Sequence, residues 1–509
     1  MKNILRVFVA TILLNGVAHA ATFNVTRQDD PVPDGCNVND CSLREAVIAA
    51  DDTAALDTIV LPADMYLIDL VGEFDNSEKT GDLDISTDMT FMGAPSTIDG
   101  QDITRIMDIK SGANVSLQDL TLQNAYYQYN GGAIVISGGS LTANTVTFDG
   151  NTGGGLGGVI YAQNDAVVTI DDCRFINNTG GSGSAINISG DLTVRNTVFR
   201  GNNAPDLGDR GAVLYVFQGS GTSDVLFENV RFDQNTATGS GGAIVFLGRK
   251  LRIDGLIATA NQTNAHGGVL FVSGSSEAKT IEIVNAIFDG NTAADGGGAI
   301  SFGGGVSDTL SIQHTSFINN NASDWGGALT ITGGTADISN STFSGNHTTD
   351  IGGGIHVFSA ENMTVRHTTF SGNTADAAGD NMYIRNPAQL GNNLVDGECN
   401  IFDPNEVTSI GGNVEGNGDT CDFDAGSDLV NQSNVQLGLQ PLRENLGMTP
   451  THELTPGSVA RGQGVTSICE AVGIDQLYMS RPGECNSGAV ESNSIFNDGF
   501  ETIRAIAPD

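Results

Sequence analysis

Positive charge is the scarcest commodity in this chain. Lys and Arg together number 22 against 60 Asp and Glu, for a formal charge of -38. Such a chain repels nucleic acid and anionic lipid headgroups, and no nucleic-acid partner is expected. Aromatics make up 6% and Trp occurs once, so a thick aromatic core is excluded; 67 Gly point to many turns and thin aliphatic layers. Beyond the N-terminus no apolar run is long enough to cross a bilayer. No Ser-His-Asp elbow, phosphate loop or zinc-ligand spacing is present.

The first residues read as an export signal. Lys2 and Arg6 open it, Val7 to Leu14 is apolar, and Ala18-His19-Ala20 supplies a small-x-small cleavage site. The apolar stretch is too short to span, so the expected product is a soluble secreted chain starting at Ala21. Seven cysteines suit an oxidising compartment. Six fall into sequence-local pairs, Cys36/Cys41, Cys399/Cys421 and Cys469/Cys485, and neighbour pairing is the expectation among 15 connectivities. Cys173 is left over.

What the chain does have is a repeat. An aromatic is followed three residues later by Asn at Phe148/Asn151, Phe175/Asn178, Phe199/Asn202, Phe232/Asn235, Phe288/Asn291, Phe317/Asn320, Phe343/Asn346 and Phe370/Asn373. Ala258/Asn261 is a degenerate copy, and Leu122/Ala125 an earlier one. Seven and five residues before each anchor stand apolar residues, such as Leu310 and Ile312, with polar residues between them; this is a strand with one buried face. Two before the anchor stand small or apolar residues, including Cys173, Thr315 and Ser341, which places Cys173 in the core rather than at a reactive site. Three before it, Asn196, Asn229, Asn285, His314, Asn340 and His367 read as a corner. A third strand begins at Gly-Gly-Ala-Ile or a variant, as at Gly241-Gly242-Ala243-Ile244.

Strands this short cannot bury a face alone, but coils stacked in parallel about 4.8 Å apart merge their inward columns into one core. The fold class is therefore all-β: a single-stranded right-handed parallel β-helix, a pectate-lyase-like solenoid with a short N-terminal capping helix, its hand expected from the crossover preference. Asn at +3 suits a left-handed corner, and stacked copies also suit amide pairing along the axis. A leucine-rich solenoid is excluded for want of its Leu consensus. Residues 1–20 form the signal, 21–56 an N-terminal cap, 57–398 the β-helix, 399–491 a disulfide-bearing C-terminal cap region and 492–509 a tail. Within the N-terminal cap, Ser42 and Glu45 have capping-box spacing, and Leu43, Ala46, Val47 and Ala50 share a helix face. Arg44 and Glu45 read as structural residues of a surface helix.

These features resemble a known group. Cys41-Ser42-Leu43-Arg44-Glu45-Ala46 matches the name-giving motif of CSLREA-domain proteins, and the Gly-Gly-Ala-Ile and Phe-x-x-Asn elements resemble the repeats of chlamydial polymorphic outer-membrane proteins. Thr449-Pro450-Thr451-His452-Glu453-Leu454, Asp475-Gln476, Arg481-Pro482 and Cys485 through Glu491 resemble the tail of the same CSLREA group. The resemblance implies an extracellular or outer-membrane-associated β-helix. The chain departs from the polymorphic family after Phe370, where no series of alternating strands suggests a membrane barrel. Ile495 to Glu501 is similar to C-terminal tags of exported proteobacterial proteins.

Candidate chemistry is sparse. Asp295, Asp324 and Asp350 each stand seven residues after an anchor, in successive coils. Stacked carboxylates favour a bound cation, so a weak calcium site is one expectation and three solvated turn residues the plainer one. No other cofactor is expected. Asp206, Asp209 and Arg210 lie in the longest interval, where an enlarged turn or a tolerated insertion both fit. Trp325 at a turn covers a loop base or stacks on a ligand. His347 and His356 stand alone, and hydrogen bonding at corners fits His314 and His367 better than metal binding. The favoured function is a secreted or cell-surface, non-catalytic adhesion or binding protein for an extracellular surface or polysaccharide. A carbohydrate-active lyase or hydrolase and a structural envelope component are the alternatives.

Overall fold

The structure, a computed structural model, describes residues 19–72, 79–205, 211–219, 223–274, 277–404, 406–445, 448–481 and 483–491. The apolar part of the signal, the tail from 492, and Asp206, Asp209 and Arg210 lie outside the described residues. The chain winds into a parallel β-solenoid of about 12 turns with only 4% helix. Successive coils pair in parallel throughout, with 35 strands in one sheet system and ten in a second. Phe317, for example, stands between Phe288 and Phe343, and Ile312 between Ile283 and Ile338. Parallel pairing continues beyond residue 398, through Cys399–Ile401, Val407–Gly411 and Val414–Glu415.

The inward columns form one buried core, as the alternation requires. Phe148, Phe175, Phe199 and Phe232 stack with ring centroids 4.5, 4.7 and 4.8 Å apart. Phe288, Phe317, Phe343 and Phe370 form a second run at 4.9, 4.5 and 5.0 Å. Ala258 separates the two runs and is itself fully buried. Each phenyl contributes about 1.5–3 kcal/mol by burial and about 0.5–1.5 kcal/mol by stacking. Cys173 is buried in this core, and burial pushes its thiol up to about 12.

The Asn at +3 does something other than turn a left-handed corner. The left-handed residue is at +2, as in Gly150, Asn177, Gln234, Ala260 and Asn319, and again at -3, as in Asp172, Asn196, Asn229, Asn285, His314, Asn340 and His367. The +3 side chain instead turns inward and joins the amide ladder that stacking permits. Asn320 Oδ1 accepts from the backbone N–H of Asn291 at 3.1 Å and from Asn291 Nδ2 at 2.9 Å. Its own Nδ2 donates to the Phe288 carbonyl and to Asn346 Oδ1, both at 2.9 Å. The same pattern runs through Asn151, Asn178, Asn202, Asn235, Asn261, Asn291, Asn320, Asn346 and Asn373, all buried. Bonding along this line satisfies amides that would be costly to bury alone.

A two-residue strand follows the Asn, a fourth segment per coil that the sequence pattern did not show: Thr152–Gly153 pairs with Thr179–Gly180, and the stack continues to Thr374–Ala375. The Gly-Gly pair then makes two distinct demands. Gly267 takes φ 68°, and a Cβ on Gly268 would lie 2.0 Å from the Gly298 carbonyl oxygen. The strand itself begins at the residue two beyond, Leu270.

Helix Leu43–Asp51 starts at Ser42 with the expected capping box, and Leu43, Ala46, Val47 and Ala50 join the core. Arg44 and Glu45 are structural, but they are not on a surface. Both are buried, and Arg44 donates to both carboxylate oxygens of Asp30, at 2.8 and 2.7 Å, and to the carbonyl oxygens of Gly81 and Asp82. Removing one partner of such a buried pair costs about 3–5 kcal/mol. Cys36 pairs with Cys41, Cys399 with Cys421, and Cys469 with Cys485.

Candidate functional site

Residues 448–481 and 483–491 fold back as a strap along one flank of the solenoid. The anchor strand alternates inward and outward, so the residues beside each Phe point out. In the middle coils these are charged or branched, such as Arg200, Arg231 and Asp233. Under the strap they include Ser316, Thr342, Ser344 and Thr369, small hydroxyls that leave room for a second layer, beside the larger Ile318. Ser316 Oγ donates to the Pro450 carbonyl at 2.6 Å, and Thr342 Oγ1 to Gln476 Oε1 at 2.7 Å. Ser344 Oγ lies 2.9 Å from His452 Nε2, and the Ala489 N–H donates to Thr369 Oγ1 at 2.9 Å. Arg481, fully covered, donates to Glu491, to Asn340 Oδ1 and to the carbonyls of Gly488 and Ala489.

The strap carries Tyr478 to the edge of a polar groove. Each left-handed corner residue and the residue before it project outward, and on successive coils Arg195, Asn196, Glu228, Asn229 and Asp254 line a cavity of about 380 Å³. Arg195 Nε donates to Glu228 at 2.5 Å, Asn196 Nδ2 to Asp171 at 2.9 Å, and Asn229 Nδ2 to Asn196 Oδ1 at 3.4 Å. Asn285 Nδ2 donates to Asp254 at 2.8 Å and receives the Tyr478 hydroxyl proton on its Oδ1. Tyr478 holds a left-handed φ of 62°, rare for an aromatic residue. Asp475 fixes that turn by accepting from the N–H groups of Leu477 and Met479 at 2.8 and 2.7 Å. The Tyr478 ring lies on His314, centroids 4.4 Å apart, and remains 44% exposed. Burial, and more weakly the Asp254 charge, raise its phenol pKa. The arrangement offers amides, carboxylates and one guanidinium at coil spacing, with an aromatic ring at one end.

The residues singled out from sequence fare differently. Asp295, Asp324 and Asp350 do stack: the Asp324 N–H donates to the Asp295 carbonyl, and Trp325 pairs with Ile351. The Asp295 carboxylate lies 3.7 Å from His266. Among the described residues, the group of three His, Cys, Asp or Glu ligand atoms lying within 4.8 Å of one another is His367, Cys469 and Cys485, whose sulfurs form a disulfide. His367 meets Asn392 Nδ2 at 3.1 Å, and His314 stacks on Tyr478. Trp325 is 37% exposed and faces His356 at 6.0 Å. Sequence reasoning read the outward corner row only as turns and missed Tyr478. The run of Ser and Thr beside the later anchors was the available signal for a covering segment.

The fold and flank define a parallel β-solenoid that displays its corner residues in rows. Four segments, residues 145–163, 229–246, 285–303 and 340–357, match the Chlamydia polymorphic membrane protein (Chlamydia_PMP) repeat. Each runs from a corner or anchor strand into the following Gly-Gly strand. These repeats suggest a surface or outer-membrane β-helix protein. No curated protein matches the chain. Among the described residues, no helix is long and apolar enough to cross a membrane.

Proposed function

We propose that the protein is an exported, surface-exposed binding protein, without catalytic activity, whose corner groove grips an extended polymer such as a polysaccharide. The supporting observation is the row Arg195, Asn196, Glu228, Asn229 and Asp254, continued by Asn285 to the ring of Tyr478. Successive rungs stand about 4.8 Å apart, so one polymer meets polar donors and acceptors at regular intervals. Exposed rings beside precisely placed polar groups are a common composition of ligand sites. A panel of immobilised polysaccharides tests the reading. Binding should fall on Asn229→Ala and Tyr478→Ala; undiminished binding by both variants contradicts the groove assignment. Release of reducing ends, abolished by one carboxylate substitution, would instead establish an enzyme. A weak calcium contact along Asp295, Asp324 and Asp350 is a separate proposal. A calcium-induced rise in melting temperature, absent in Asp324→Ala, supports it, and no rise refutes it.

A further inference from the structure

A second surface lies on a different strand stack. Phe358, Arg385 and Phe402 occupy consecutive coils: the Arg385 N–H donates to the Val357 carbonyl, and the Phe402 N–H to the Ile384 carbonyl. The Arg385 guanidinium carbon lies 4.7 Å from the Phe358 ring centroid and 4.5 Å from that of Phe402. A cation is therefore held between two phenyl rings that are themselves 47% and 60% exposed. Arg366, Arg443 and Arg481 each pair with a carboxylate, but among the described residues none reaches Arg385.

The neighbouring residues extend the surface. His356, 2% exposed, packs among Trp325, Phe358 and Tyr383, at 6.0, 6.3 and 5.6 Å. Neither of its ring nitrogens has a hydrogen-bond partner among the described residues. Burial, with the Arg385 charge second, lowers its pKa to about 4, so the imidazole is neutral at physiological pH and Arg385 supplies the charge of this patch.

With both faces covered by rings, a guanidinium is approached along its planar N–H edge. That edge matches a carboxylate, which it binds with two parallel hydrogen bonds. The exposed phenyl and indole surfaces accept a ligand's C–H faces. A uronic acid joins both features in one rigid ring, whereas an acidic peptide carries its carboxylate on a flexible stem. We propose that Phe358, Arg385 and Phe402, with Trp325 alongside, form a site for the carboxylate-bearing sugars of an acidic polysaccharide. The proposal rests on the binding-protein reading above and adds a ligand class and a second site.

The test titrates the full chain with a four-sugar oligouronate and with the neutral oligosaccharide of the same linkage. Salt at 0.15 M shortens the Debye length to about 8 Å and screens the chain's overall negative charge. The oligouronate should bind more tightly than the neutral sugar. Arg385→Gln should weaken oligouronate binding about tenfold or more, as loss of a bidentate charge-assisted pair requires, and leave the neutral sugar unaffected. Arg385→Lys should recover only part of the loss, because it keeps the charge without the planar edge. An unchanged melting curve shows that the variants fold. Equal affinity for both sugars, or an Arg385→Gln variant that binds oligouronate normally, overturns the proposal. Tighter binding of a poly-Glu peptide than of the oligouronate reassigns the site and also overturns it. If polysaccharide binding responds to Asn229→Ala and not to Arg385→Gln, this site alone fails; if no polymer binds at all, the broader reading fails with it.

Discussion

Asn320→Ala offers a direct measure of the interior amide ladder. The substitution removes one acceptor and one donor from a fully buried position. It strips the Asn291 backbone N–H of its 3.1 Å acceptor and takes one of two partners from Asn291 Nδ2, which keeps the Ala258 carbonyl. The Phe288 carbonyl loses a 2.9 Å donor, while Asn346 Oδ1 keeps the Asn320 backbone N–H. Two groups are thus left without a partner, at about 1–3 kcal/mol each, and the expected loss is about 2–6 kcal/mol. Asn144→Ala is the control: that amide is exposed on a strand with ordinary backbone angles, and its removal should cost no more than about 0.5 kcal/mol. Urea midpoints followed by circular dichroism give the comparison. Native-state hydrogen exchange sharpens it, since a loss of about 3 kcal/mol accelerates exchange of the Asn291 amide about 100-fold if that amide exchanges through the weakened rung. Equal midpoints for Asn320→Ala and Asn144→Ala, with Asn291 protection unchanged, would refute the energetic role given to the ladder.

Other outcomes follow from the strap. Burial holds the His314, His367 and His452 imidazoles below their ordinary pKa, with the Arg481 charge adding to the effect at His367 and, more weakly, at His314. The unfolded chain protonates them near pH 6.5, so their contribution is complete above that pH. It declines as pH falls below it, by up to about 1.4 kcal/mol per pH unit for each, until the folded pKa is reached. Melting temperature should therefore drop from pH 7 to 5.5, and less so in a His367→Gln variant; a flat profile contradicts this. Reducing Cys469–Cys485, which closes a loop of 16 residues, should cost about 3 kcal/mol and open residues 448–491 to protease before the coils; simultaneous cleavage of both would count against a separable strap. Cys173, buried with its thiol near 12, should stay unreactive toward a thiol reagent at pH 8 and react once denatured. Reaction in the native state would place it outside the core.

Much of the fold was legible because its periodicity is strict. Columns at -7, -5, -2 and the anchor predicted which side chains are buried, and Leu310, Ile312, Thr315 and Phe317 all are. The helix start at Ser42 and the three disulfides were also readable from local spacing. The +3 Asn was misjudged in part, because its residue type suits a turn as well as an interior amide; only the neighbouring +2 residue, Gly or Asn in most coils, betrays which position bends. Arg44 looked like a solvent residue because the sequence does not show that Asp30 lies against it. The site was the least legible part. Tyr478 meets Asn285 across 193 residues, and Arg385 meets Phe358 and Phe402 only through coil stacking. Such juxtapositions depend on register, which is fixed by the whole array rather than by any local pattern.

The strap also imposes an order of events on a chain made from its N-terminus. Each winding can settle on its predecessor as soon as it appears, since its partners are about 24 to 33 residues away. Thr342 is different: Gln476, which accepts its hydroxyl, follows 134 residues later. The hydroxyl-lined flank therefore stays open to water until the segment that covers it has been made, so a chain cut before Pro450 would expose Ser316 and Thr342 on an otherwise wound solenoid.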